Sequence, residues 1–132
     1  MNRDRLKTAA EGLLDALAAP HPLGHQQSKA NRYVLPTRGG SQIELMLEKN
    51  DDVPLNIWVE TRHATTFLGG TIQCRESPAS GLRTSIGKNG KPNYGRHSAL
   101  EHMSALGNAD LLCLAPRNLE ELGKILDYLV ER

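Results

Sequence analysis

Apolar residues at helical spacing open the chain. Leu6, Ala9, Ala10, Leu13, Leu14 and Leu17 recur at i, i+3 and i+4, which predicts one buried face on a helix over about residues 3 to 18. Pro20, Pro22 and Gly24 stop it. His21 to Ala30 is polar and reads as a surface connector. The period then changes from 3.6 to two. Tyr33 to Leu35 predicts a short strand ended by Pro36, and Thr37 to Ser41 supplies a turn. In residues 42–49, QIELMLEK, Ile43, Leu45 and Leu47 alternate with Glu44, Met46 and Glu48. In residues 54–61, PLNIWVET, Leu55, Ile57 and Val59 alternate with Asn56, Trp58 and Glu60. Asn50, Asp51 and Asp52 between them predict an antiparallel hairpin with one apolar face and one largely acidic face.

From Arg62 to His97 the pattern dissolves, and the stretch holds six of the twelve glycines. Short strands are expected at Thr71 to Arg75 and Leu82 to Ile86, with Asn89-Gly90 as a tight turn. A segment this long and this aperiodic is functional or mobile. Regularity returns at Ser98, which with Glu101 has the spacing of a capping box ahead of a short helix closed by Leu106-Gly107. Leu111 to Ala115, LLCLA, is a continuous apolar run that suits a strand buried on both faces. Asn118 and Glu121 repeat the capping arrangement for a final helix, with Leu119, Leu122, Ile125, Leu126 and Leu129 as its buried stripe and Glu120, Lys124 and Asp127 toward water. The order α-β-β-β, long loop, α-β-α predicts an α+β domain: a small, mainly antiparallel sheet packed by N- and C-terminal helices.

Length and composition narrow the setting. A chain of 132 residues supports one hydrophobic core, hence a single globular domain over residues 1–132. Glu11 and Asp15 interrupt the first apolar stretch, so it lacks the core of a secretory signal, and no run reaches the roughly 20 apolar residues of a membrane span. Cys74 and Cys113 stand outside any CxxC spacing and read as small apolar side chains, which makes a reducing, cytoplasmic setting the default.

Charge changes the picture. The net charge is only +1, yet no Asp or Glu lies between Ser77 and Leu100, where Arg83, Lys88, Lys91 and Arg96 stand with His97. Arg96 and His97 precede the helix start expected at Ser98, where free amides and the positive end of a helix dipole favour an anion. Tyr94 supplies a ring that can stack, and Arg62 and His63, just past a strand end, are candidates to join the site. Basic groups, an aromatic and a Gly-rich backbone together are a means of gripping a nucleic-acid backbone. The expected function is therefore a non-enzymatic module that holds a phosphate-bearing ligand, nucleic acid above all, with no cofactor. A protein-interaction module presenting Trp58 and the acidic strand face, or the basic loop, is the alternative.

Other chemistry fits less well. GLRTSIGKN has five residues between Gly81 and Gly87 where a phosphate-binding loop needs four, and Asn89 stands where it needs Ser or Thr. A metal-dependent nuclease would use Glu44 and Glu60, which one hairpin register sets opposite each other; the other register pairs Glu44 with Arg62, the electrostatically stable choice. His97 and His102 miss the spacing of zinc-binding helices. Trp58, on the acidic face, is either an exposed contact residue or covered by the long loop.

Overall fold

The computed structural model describes residues 2–83 and 85–132. Helix α1 (Arg3–Leu17) starts where the Asn2 side chain accepts the Arg5 amide at 2.9 Å, satisfying one of the donors a helix start leaves open. It buries Leu6, Ala10 and Leu14. Leu13 and Leu17, expected on the same stripe, are each 40% exposed. Lys7 takes part of the buried face instead, laying its stem against the fold while Nζ donates to the Asn50 carbonyl at 2.8 Å.

Six strands follow: β1 (Ala19–Pro20), β2 (Ala30–Pro36), β3 (Gln42–Glu48), β4 (Asn56–Glu60), β5 (Gln73–Ser77) and β6 (Leu111–Ala115). They form one sheet in the order β1-β2-β3-β4-β6-β5, antiparallel at every pairing. The β3–β4 hairpin is the one the alternation predicts. Strand β6 lies between β4 and β5, so the side chains of LLCLA go alternately to both faces, as their continuous apolar character requires. Helix α2 (Leu119–Val130) is capped by Asn118, which accepts the Glu121 amide at 2.9 Å. Glu121 turns its carboxylate back to the Arg117 amide and guanidinium. Leu122, Ile125, Leu126 and Leu129 are buried, whereas Leu119, in the first turn, is 46% exposed.

The fold is thus α+β with a helix at each end, and it differs from the expected order in two elements, the added two-residue β1 and the helix expected after Ser98. Residues 98–106 form no α-helix; Ser98–Leu100 is a three-residue 3-10 turn. The cause is competition for donors: the Ala105 and Leu106 amides, which an α-helix would direct to carbonyls four residues back, donate to the Glu44 carboxylate at 2.8 and 3.1 Å. Of the two short strands expected in the long segment, the first exists as β5. In the second, Leu82 to Ile86, Ile86 makes an isolated bridge to Pro92, and Thr84 lies outside the described residues. Among the described residues no helix is long and apolar enough to cross a membrane.

The sheet has two sealed faces. On one, α1 and α2 pack on Tyr33, Leu35, Ile43, Leu45, Leu47, Ile57, Val59, Leu112 and Leu114. On the other, Ala99, Leu100, Met103 and Leu106 of the long segment pack on Ala30, Met46, Trp58, Leu111 and Cys113.

Candidate nucleic-acid interface

An irregular segment packed on a sheet leaves its own carbonyls and amides short of partners, and buried ones must find them. Charged side chains supply them here. Glu44 receives four hydrogen bonds: from Ser104 Oγ (2.7 Å), His21 Nε2 (2.8 Å) and the Ala105 and Leu106 amides. Burial alone would push its carboxyl up, but these donors outweigh burial and hold it below the ordinary 4.5. Arg32 spans two stretches, with Nε to the Gly24 carbonyl at 2.6 Å and the remaining guanidinium to the Leu23 and Ala99 carbonyls. Arg96 does the same for the far end, bonding Ser77 Oγ and the carbonyls of Ser77, Leu106 and Ala109. Four of the five N–H donors of a guanidinium are thereby used.

Between β5 and this anchored segment the chain makes a small hairpin from Ser85 to Asn93. Asn93 N donates to the Ser85 carbonyl and Gly87 N to the Lys91 carbonyl, both at 2.8 Å, and Gly90 N closes a turn on the Gly87 carbonyl at 3.0 Å. Gly90 has φ +77°, the left-handed conformation that such a turn requires and that glycine adopts without steric cost. The expected Asn89-Gly90 turn is therefore present. Asn89 Oδ1 also accepts the Lys91 amide at 3.0 Å. Lys88 and Lys91 are exposed on this hairpin, and Arg83, just before it, lies over the Tyr94 ring at 5.6 Å. None of the three belongs to an ion pair among the described residues, whereas Arg38, Lys49, Arg62, Arg117 and Lys124 each face a carboxylate.

The remaining candidates have other partners. Tyr94 is half-buried against the loop-side core, and its hydroxyl donates to the Gly107 carbonyl at 2.8 Å. His97, not Ser98, caps the 3-10 turn: its Nδ1 accepts the Ala99 amide at 3.0 Å. Burial holds the His97 imidazole below its ordinary 6.5 despite the nearby Glu48 charge, and the Lys29 charge adds to the lowering. Ser98 Oγ accepts a 3.4 Å contact from Gln26 Nε2, so the Ser98–Glu101 capping box is not formed. A cleft of about 520 Å³ at the hairpin base is lined by Asn89, Pro92, Asn93, Tyr94, Arg96, Ser98 and Glu101, and Glu101 brings a carboxylate into it. Arg62 and His63 are held at the end of β4. There Arg62 grips Glu60 with Nε and Nη2 at 2.9 and 3.3 Å, and His63 Nε2 lies 3.8 Å from the same carboxylate.

On the acidic face the structure decides between two alternatives for Trp58 and corrects the expected register. Trp58 is only 4% exposed, because the long segment covers it, and its indole N–H donates to Glu48 at 2.6 Å. Glu44, Glu48 and Glu60 are buried with it, so this face is not offered to a partner. The β3–β4 register, Met46 opposite Trp58 and Leu47 opposite Ile57, continues toward Glu44 opposite Glu60 and not opposite Arg62. The β3–β4 ladder ends at Met46 and Trp58, and each carboxylate beyond it has its own donors: Glu44 the four named above, Glu60 the Arg62 guanidinium. Among the described residues no three His, Cys, Asp or Glu side chains group closely enough to hold a metal ion.

Comparison with protein-family models, with curated proteins and with solved structures finds no match. Function must be read from geometry. Sequence reasoning missed Ile86, which is 68% exposed on the hairpin stem opposite Pro92. Its signal was there: a lone β-branched apolar residue in the otherwise polar and glycine-rich run SIGKNGKPN.

Proposed function

We propose that this protein is a non-enzymatic binding module for nucleic acid and that the Ser85–Asn93 hairpin is its contact element. One observation carries the reading. The cations of the hairpin, with Arg83 beside them, are exposed, in no ion pair among the described residues and gathered on a stretch without any carboxylate. Arg38, Lys49, Arg62, Arg117 and Lys124 are paired with acids, and the other exposed cations outside ion pairs, Arg3, Arg5, Lys29, Arg75 and Arg132, form no such acid-free group. Phosphate supplies the missing counter-charge. Arg83, Lys88 and Lys91 contact the backbone and release condensed counterions, and no bond is made or broken. Arg96, His97, Ser98 and Tyr94 shape the base from which the hairpin projects, with Arg96 engaged by Ser77, Leu106 and Ala109. Arg62 contributes little, since it is already engaged by Glu60, and His63, lowered below its ordinary 6.5 by burial and by the Arg62 charge, is neutral near pH 7. A reducing cytoplasmic setting suits the reading, because Cys74 and Cys113 are both free and burial raises the Cys113 thiol to about 12.

The test is fluorescence anisotropy of labelled duplex and single-stranded oligonucleotides with the intact protein at several salt concentrations. Three phosphate contacts give a slope of log K against log salt of about −2.7 on a DNA duplex, a loss on the order of 40-fold between 50 and 200 mM. Absence of salt-sensitive binding to any nucleic acid would falsify the reading. In that case a complex with an acidic protein becomes the occupant to seek, by size exclusion and pull-down.

A further inference from the structure

The same hairpin carries information about which nucleic acid it fits. Proteins that hold single strands without sequence preference use aromatic platforms on which successive bases stack. The hairpin offers none. Tyr94, the aromatic at its base, is half-buried, its hydroxyl is bound to the Gly107 carbonyl and one face of its ring is taken by Arg83. What the hairpin offers instead is an aliphatic pair: Ile86, 68% exposed, faces Pro92 across the bridge, with Lys88 and Lys91 two and five residues from Ile86 toward and past the tip. The backbone hydrogen bonds Gly87–Lys91 and Asn93–Ser85 bracket that pair, so it is presented on a braced stem. Ile and Pro are among the residues that enter the minor groove and part a base step, an act that becomes favourable when flanking cations hold the phosphates on either side.

We infer that the ligand is double-stranded DNA and that Ile86, with Pro92, is a wedge that partly unstacks one base step while Arg83, Lys88 and Lys91 hold the neighbouring phosphates. The inference rests on the proposed nucleic-acid-binding function and names its substrate class. It also gives the exposed isoleucine a partner that the folded chain does not provide.

The experiment compares three proteins, wild type, Ile86→Ser and Lys88→Ala/Lys91→Ala, on four labelled oligonucleotides of one length. These are an intact DNA duplex, the same duplex with a central two-base mismatch, its single strand, and the matching RNA duplex. Thermal melts accompany each variant, and both are expected to melt as the wild type does because all three positions are exposed. A mismatch lowers the cost of unstacking, so the wild type is expected to bind the mismatched duplex roughly tenfold more tightly than the intact one. Ile86→Ser should lose that preference and keep the salt slope, while the lysine double variant should lose slope and keep the preference. Equal binding of intact and mismatched DNA by the wild type, an undiminished preference in Ile86→Ser, or tightest binding to the single strand or the RNA duplex overturns the inference and leaves the nucleic-acid reading standing. No binding to any of the four overturns the reading itself.

Discussion

The helix-covered and loop-covered faces of the sheet solve the same problem with different chemistry. On the helix side, Leu6, Ala10 and Leu14 of α1 and Leu122, Ile125, Leu126 and Leu129 of α2 meet the alternating apolar residues of β2, β3, β4 and β6. The helices satisfy most of their own backbone groups, so burial of apolar surface is almost the only term needed. On the loop side, Leu100, Met103 and Leu106 also bury apolar surface, but their backbone has no helix to satisfy it. Glu44, Arg32 and Arg96 do that from the side. Apolar patterning can therefore close a face with regular structure, and irregular structure closes one only with a charged residue at each unsatisfied group. The consequence for function is a division of labour among cations: Arg32 and Arg96 are consumed in holding the cover, and those of the hairpin remain for a ligand.

The largest loss of stability is expected on the helix side. Leu14→Ala removes a fully buried side chain and leaves a cavity, and should cost about 3 kcal/mol in urea unfolding, with both faces lost in one transition. Glu44→Gln comes next, at about 2 to 3 kcal/mol, because a carboxylate that accepts four hydrogen bonds becomes an amide that must turn donors toward donors. Its distinguishing mark is local: hydrogen exchange should accelerate at the Ala105 and Leu106 amides while the amides of α1 and α2 stay protected.

Acid should sharpen the same contrast. Burial lowers His25, His63 and His97 from 6.5, so the unfolded chain takes up their protons first, and the stability they confer is present above about pH 6.5 and lost as pH falls through their lowered folded values. Glu44 and Glu121 are held below 4.5 by hydrogen bonds, in Glu121 chiefly from Arg117, and their contribution is present above about pH 4.5 and lost as pH falls through the lowered folded values. Unfolding free energy measured from pH 8 to pH 3 should therefore decline in two stages, and Glu44→Gln should flatten the second. Smallest of these effects, Glu48→Gln should cost about 1 kcal/mol by weakening the Trp58 indole bond, and the change should be visible in tryptophan fluorescence.

How far the sequence spoke differs between the faces for the same reason. Period-two alternation in residues 42–49 and 54–61, the apolar run of β6 and the helical stripes of α1 and α2 are local signals of burial, and they predicted the α+β class and the helix-covered core. The loop-covered face depends on contacts such as Glu44 with Ser104 and Arg96 with Ser77, far apart in the chain, which leave no periodic trace. Thus the local capping spacing of Ser98 and Glu101 suggested a helix that Glu44 prevents. Alternation did place Trp58 opposite Ile57 and Val59, but only the packed segment shows it covered. At the candidate site, the missing carboxylates and the Asn89-Gly90 turn were legible. Which of the cations stay free was not, because Arg96 and Lys88 look alike in a sequence until their neighbours in space are known.

The most direct test of this division sets Arg96→Lys beside Lys88→Ala/Lys91→Ala, with DNA-duplex binding measured across salt at equal folded fraction and the melting temperature recorded for each. A lysine cannot reproduce the guanidinium fork that reaches three carbonyls, so Arg96→Lys should melt lower yet bind with unchanged affinity and slope. The lysine double variant should melt as the wild type does and lose about 1.8 from its slope, the share of two phosphate contacts. An Arg96→Lys protein that melts normally but no longer binds, or a double variant that binds with full slope, would contradict the account.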